Sequence, residues 1–156
     1  MAIVKKMKQH PPLPPSRYEV GIYCRVSTAS KTQVVSAGHQ LSGLIADVAN
    51  SQQARMYDVY LDIQSGRTSD NRKNLMRLLD DCRAGRVTLV YTKSISRFAR
   101  NTVDVLTIVR KLKKVNVPVY FENEQLYSFD KEAELAISLH GAIAQGESEN
   151  KSENRI

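Results

Sequence analysis

The chain has 156 residues, of which 42% are hydrophobic and 25% charged, so it suits one globular domain and not a disordered polymer. Lysine and arginine number 23 against 16 acids, and this net charge of +7 favours a polyanionic partner such as nucleic acid. Its 2 cysteines and 3 scattered histidines offer neither a disulfide framework nor the spacing of metal ligands, so we expect no metal site.

The first segment, residues 1–17, is a basic, proline-rich tail. Because proline interrupts both helix and sheet ladders, we predict an extended, flexible tail without chemistry of its own. It lacks the apolar core of a signal peptide, and the longest apolar runs further along the chain are of strand length. We therefore expect a soluble, intracellular protein.

From residue 19 onward, strand-like and helix-like segments alternate. Strands are predicted over residues 20–26, 56–61, 87–92 and 117–122. Three intervening helices are indicated by apolar faces at helical spacing: Leu41, Leu44, Ile45 and Val48; Leu75, Leu78, Leu79 and Cys82; Val105, Ile108, Val109 and Leu112. This alternation predicts an α/β domain whose mainly parallel sheet of four to five strands is flanked by helices.

The last predicted helix begins near Asp130, with Leu135, Leu139, Ala142 and Ile143 on one face. Beyond residue 146 it is polar on nearly every face, a pattern typical of a helix that needs a partner. No glycine or proline stop signal follows, so we expect a long helix that is truncated here and continues into further protein.

Function in such a sheet gathers in the loops beyond the carboxyl ends of the strands, here residues 27–33, 62–70 and 93–101. Arg25 and Ser27 are two residues apart, so they share a strand face, and a hydroxyl stands beside a permanent cation. A serine that only hydrogen-bonds its own turn, with Arg25 solvated, is the plainer alternative for this segment.

Two further segments carry clustered basic residues. Arg97 and Arg100 are three apart, and we interpret them as neighbours on one face at a helix N-terminus, where they would bind an anion. Arg72 begins the second helix after the loop that contains Ser65 and Gly66. For that loop, an ordinary helix start capped by Asp70 is the alternative.

Taken together, residues 19–155 resemble the serine recombinase family, most closely its large members, the phage integrases and transposon recombinases. Five elements of the family's pattern occur in the family's order. They are Arg25-Val26-Ser27-Thr28 at the strand end, Ser36 with Gln40, Ser65-Gly66 with Arg72, Arg97 with Arg100, and Ala144-Gln145 with Glu147 in the long helix. Ser96 stands where many smaller resolvases carry aspartate.

The resemblance implies that the Ser27 hydroxyl attacks a DNA phosphodiester and forms a covalent 5′-phosphoserine. It implies the catalytic set Ser27, Arg25, Arg72, Arg97 and Arg100, with DNA contacts from Gln40, Lys93 and Arg67. No cofactor and no metal is implied. The partners are double-stranded DNA and further copies of the chain, as homodimer and homotetramer, in a cytoplasmic protein of bacterial, phage or mobile-element origin.

The expected organisation is a catalytic domain over residues 18–146, with residues 147–156 opening the oligomerisation helix. A catalytically silent, DNA-associated oligomerisation module is the alternative function. A small-molecule phosphate binder is disfavoured because the chain lacks a P-loop and a G-x-G-x-x-G turn, and a serine hydrolase because it lacks G-x-S-x-G. No histidine or carboxylate stands near Ser27 in sequence, so the general base is not assigned.

Overall fold

The computed structural model describes residues 17–27, 30–64 and 72–153. Its strands are β1 (Tyr18–Ser27), β2 (Ala54–Gln64), β3 (Leu89–Thr92), β4 (Val119–Phe121) and β5 (Leu126–Tyr127). Its helices are α1 (Lys31–Ala49), α2 (Lys73–Arg83), α3 (Ile95–Phe98), α4 (Thr102–Lys114) and α5 (Ala133–Glu153). The predicted structure of the tail over residues 1–16 lies outside these ranges.

Within the described residues, the strands form one five-stranded sheet in the order β2-β1-β3-β4-β5. The first four are parallel, and β5 returns antiparallel to β4. The expected α/β fold with a mainly parallel sheet is thereby confirmed. β1 has β2 on one side and β3 on the other, so its carboxyl end lies where the strand order reverses, which is where open α/β sheets bind their ligands.

Alternating residues of β1 face two different layers of helices. Tyr23 packs into a cluster with apolar residues of α2, α3 and α4, whereas Ile22 packs with Leu44 and Val48 of α1. Gly21 allows α2 to approach closely, since a Cβ there would lie 2.8 Å from Leu78 Cδ1. The sheet therefore has a buried core on each face, and loops and helix termini lie at the carboxyl ends of its parallel strands.

The third predicted helix is divided in the structure. Ala99 has extended backbone angles (φ −152°, ψ 162°), so α3 ends at Phe98. A new helix, α4, then starts behind Asn101, whose Oδ1 accepts a hydrogen bond of 2.9 Å from Asp104 N. The interruption follows from asparagine being among the preferred N-cap residues.

The long last helix, α5, starts at Ala133, slightly later than predicted, and runs without a break past residue 146, the expected domain boundary. Over residues 133–143, the part of α5 whose side chains the structure describes, Ala133 and Ile137 are buried against the domain. The predicted apolar face is instead turned outward, since Leu135 is 61% exposed and Ile143 also 61%. Among the described helices, none is long and apolar enough to cross a membrane.

Candidate active site at the carboxyl end of the sheet

The end of β1 extends well beyond the neighbouring strand β3. Tyr23 pairs with Thr92, the last residue of β3, while Ser27 pairs with Gln64, the last residue of β2. Ser27 is four residues past Tyr23, so at about 3.3 Å per residue it stands roughly 13 Å beyond the end of β3. The β1–β2 pair thus carries the backbone of Ser27, the candidate nucleophile, beyond the end of β3.

A buried carboxylate, Asp62 on β2, organises this rim. Its Oδ2 accepts hydrogen bonds from the Tyr23 hydroxyl (2.8 Å) and from Leu75 N (3.0 Å), and its Oδ1 accepts one from Asn74 N (2.9 Å). Asp62 therefore caps the N-terminus of α2, where free N–H groups and the helix dipole favour a negative charge. Burial, reinforced by the Asp62 carboxylate, raises the pKa of Tyr23.

Neither Tyr23 nor Asp62 was among the sequence-predicted site residues. The proposed cap of α2, Asp70, lies outside the described residues, and the N-cap position itself is occupied by Arg72, which makes no side-chain cap bond. The carboxylate that caps α2 comes from the strand β2 and not from a residue next to the helix, so no local sequence motif reveals it. The available signal was an acidic residue directly after an apolar strand.

Arg72 connects three helices at this edge. Its NH1 forms an ion pair with Asp104 in the first turn of α4, and its NH2 donates to the carbonyl oxygen of Phe98 in α3 (2.9 Å). Burial opposes its charge, yet the pKa of Arg72 is raised by its neighbours Tyr23 and Asp104. Its Nε is buried without a hydrogen-bond partner among the described residues. The Arg72 guanidinium is therefore held in place, while its Nε–H has no acceptor within the described residues.

Arg97 belongs to α3 and is half-buried, with its backbone N–H bonded to Ser94 Oγ at 3.2 Å. Burial raises the pKa of the Cys24 thiol on β1, and the positive charge of Arg97 partly offsets this by favouring the thiolate. On β1, the Cα of Arg25 pairs with that of Asp62 on β2.

Arg100 is placed differently from the sequence interpretation. It lies in the link between α3 and α4 and is exposed. The expectation that Arg97 and Arg100 share one helical face is therefore wrong, because the extended backbone at Ala99 separates them. Arg100 instead lines a cleft of about 570 Å³ with residues of α4 and α5, including Thr102 and Gly141.

Of the predicted DNA-contacting residues, two lie within the described part of the chain. Lys93 follows β3 and forms an ion pair with Glu122 (3.2 Å), which neutralises part of its charge. Gln40 lies on α1, and its Oε1 is buried without a hydrogen-bond partner in the described ranges. Arg67, like the Ser65-Gly66 element, falls within residues 65–71, outside the described residues.

The arrangement brings Arg25 from β1, Arg72 from the start of α2 and Arg97 from α3 to one end of the sheet. Guanidinium groups bind phosphate oxygens through planar, paired hydrogen bonds and keep their charge at every physiological pH. Within residues 17–27, 30–64 and 72–153, no group of three His, Cys, Asp or Glu residues is arranged to hold a metal ion. The chemistry that this end of the sheet can support is neutralisation of a phosphate group.

Comparison with known families gives one match over most of the chain. The family described as "Resolvase, N terminal domain" matches residues 20–156. None of the curated proteins compared with the chain matches it.

Solved structures of similar fold point the same way. A resolvase family site-specific recombinase from Streptococcus pneumoniae is 28% identical, with a TM-score of 0.64 over 88% of this chain and 93% of that one. The N-terminal catalytic domain of TP901-1 integrase is 22% identical, with a TM-score of 0.55 over 84% of this chain and 97% of that one. The C-terminal catalytic domain of ISC1926 TnpA, an IS607-like serine recombinase, is 24% identical, with a TM-score of 0.56 over 78% and 77%. The last two likenesses concern the fold.

Proposed function

Since the chain belongs to the resolvase family, as a serine recombinase catalytic domain, we propose that it cuts and rejoins DNA through a covalent phosphoserine at Ser27. The family membership carries the coarser statement, site-specific DNA recombination. The finer statement is supported by one observation above all. Three arginines from separate elements, Arg25, Arg72 and Arg97, belong to the carboxyl end of the sheet, where β1 ends at Ser27. Two of them are linked through the short helix α3, because Arg72 binds the Phe98 carbonyl and Arg97 is part of that helix.

In the proposed reaction, the Ser27 oxygen attacks the phosphorus in line and the bond to the 3′ oxygen breaks. The electron pair leaves with the 3′ oxygen, the proton lost by the Ser27 hydroxyl balances the one that the 3′ oxygen takes up, and the 5′ phosphate remains esterified to serine. Attack by a 3′ hydroxyl on this ester reverses the step and rejoins the strand. The energy of the broken bond is kept in the ester, so the scheme needs no ATP.

Phosphoryl transfer depends mainly on positioning and on neutralising the charge of the equatorial oxygens. Arg72 is suited to this role because Asp104 and the Phe98 carbonyl fix its guanidinium before DNA arrives. Asp62 is not the base in this proposal, since its two oxygens already accept three hydrogen bonds in a buried position. It orients the site through Tyr23 and α2.

For the DNA duplex, we assign contacts to Gln40, Lys93 and Arg67, with Arg100 on the exposed side of the same edge. Assembly of two and then four copies is assigned to α5 and to the segment over residues 147–156, since Leu135, Leu139 and Ile143 expose an apolar stripe on α5. Such a stripe is typical of a helix that packs against a partner. Residues 18–146 form the proposed catalytic domain.

The test is covalent capture of DNA by the full-length protein with its recombination sites on supercoiled DNA. Denaturing gels are expected to show protein attached to DNA 5′ ends for the wild type and none for Ser27→Ala. The matched control is Ser30→Ala, which removes a nearby exposed serine that caps α1 through Gln33 N. Adduct formation by Ser27→Ala would contradict the site. If the wild type binds and pairs its DNA sites but forms no covalent adduct, the result would favour the silent oligomerisation module.

A further inference from the structure

The short helix α3 depends on its surroundings for its conformation. It has four residues, Ile95 to Phe98, and a helix of that length is unstable alone because nucleation is costly. Buried Ile95 and Phe98 anchor it to the core. Its first turn is held by polar contacts at its N-terminus, so whatever makes those contacts determines where Arg97 lies.

One of these contacts comes from a distant side chain. Glu124, in the turn between β4 and β5, accepts a hydrogen bond from Ile95 N through its Oε1 at 2.8 Å. Ser94 supplies the other cap, through its Oγ to Arg97 N at 3.2 Å. The Glu124 side chain is only 16% exposed, so this carboxylate acts on the start of α3 in a partly dehydrated setting.

The turn that carries Glu124 is itself fixed to the segment before α3. Asn123 N donates to the Lys93 carbonyl at 2.8 Å, and Glu122 N donates to the Thr92 carbonyl at 3.0 Å. Gln125 has a left-handed backbone (φ 49°), which closes the turn with a bond from its N–H to the Glu122 carbonyl. These contacts hold Glu124 rigidly opposite Ile95.

The same carboxylate also faces the last helix. Its Oε2 lies 3.7 Å from Nε2 of His140, on α5. At the other end of α3, the Phe98 carbonyl accepts a hydrogen bond from Arg72 at 2.9 Å. A continuous path of contacts therefore runs from α5 through Glu124 and α3 to Arg72.

We propose that Glu124 is a positioning residue for recombination: its carboxylate fixes α3, α3 fixes Arg97 and Arg72, and the same side chain forms a polar link from α3 to α5. The catalytic consequence rests on the proposed function, in which these arginines bind the reacting phosphate. Glu124 itself does not touch DNA. Its role is to keep α3 in the geometry that the arginines require.

The structural part is tested by hydrogen exchange of backbone amides in the full chain, for Glu124→Ala, Glu124→Gln and the control Glu132→Ala. Glu132 is an exposed carboxylate near the start of α5. Glu124→Ala is expected to speed exchange over residues 95–99 by roughly two- to thirtyfold, as loss of an N-cap does. Glu124→Gln keeps an acceptor oxygen and is expected to exchange like the wild type, as is the control. Unchanged exchange in Glu124→Ala would overturn the proposal.

The catalytic part is tested by single-turnover adduct formation at saturating DNA. Displacement of the arginines in Glu124→Ala is expected to slow cleavage roughly ten- to hundredfold, with DNA affinity and cooperative unfolding retained. Glu124→Gln is expected to restore cleavage to near the wild-type rate, a rescue that loss of charge alone does not predict. Wild-type cleavage by Glu124→Ala, or equal slowing in both variants, would overturn the positioning role.

The two proposals fail in different ways. If Ser27 is not the nucleophile, the adduct survives Ser27→Ala or never forms, yet the exchange experiment still judges the link between Glu124 and α3. If Glu124 does not position the site, the wild type forms its adduct through Ser27 and Glu124→Ala cleaves equally fast.

Discussion

Replacement of Asp62 by alanine is expected to lower the free energy of unfolding by about 4 kcal/mol. The carboxylate accepts hydrogen bonds from Asn74 N, Leu75 N and the Tyr23 hydroxyl. Asn74 is half-exposed, so water can satisfy its N–H, but Leu75 and Tyr23 are buried and their donors would have no acceptor. Each buried, unsatisfied donor costs about 1–3 kcal/mol, and two of them give the stated value.

The measurement is urea unfolding of the full chain, followed by circular dichroism at neutral pH. Asp62→Asn keeps one acceptor oxygen and is expected to lose about half as much. The matched control is Asp58→Ala on the same strand, which removes an exposed ion pair to Arg77 and is expected to cost less than about 1 kcal/mol. Equal, small losses for Asp62→Ala and Asp58→Ala would refute the view that Asp62 organises this edge.

Three further outcomes are expected. Arg72→Lys lowers single-turnover cleavage at saturating DNA by roughly 10²–10³-fold, since lysine does not reproduce the forked contacts, and a rate near the wild type would contradict its role. Gly141→Ala is expected to destabilise the chain by about 1–3 kcal/mol, because the added Cβ would overlap the Thr102 side chain. Gly38→Ala has open space around it and is expected to stabilise α1 by up to about 1 kcal/mol. Urea unfolding measures both changes in the free energy of unfolding, and equal effects of the two substitutions would contradict this reasoning. Burial raises the pKa of Cys82 to about 12, so its thiol should resist thiol reagents at pH 8 in the native protein and react after unfolding; rapid native labelling would contradict this.

The fold was predictable because apolar periodicity dominates these elements. The alternating segments led directly to a mainly parallel sheet, and the residues expected on the inner faces of α2 and α4 are buried. The short strand β5 was missed because two residues carry no periodic signal. The division of the third helix had a signal, Asn101 followed by Asp104, which is typical of a helix start.

The site was only partly predictable. Sequence motifs identified arginines, and the structure brings Arg25, Arg72 and Arg97 to one edge. They did not identify Asp62 or Glu124, because each acts on the backbone of a helix that is distant in sequence. Helix caps of this kind form only when separate elements pack together, so no local spacing of residues in the sequence predicts them.

The central claim is that Ser27 becomes esterified to DNA, and the most direct test is to identify the modified residue. The trapped complex of full-length protein and DNA is digested with nuclease and protease, and the peptides are sequenced by mass spectrometry. The account predicts one residual nucleotide, linked through its 5′ phosphate to Ser27. The same nucleotide on a neighbouring hydroxyl, such as Thr28 or Ser30, or on any other side chain, would contradict it.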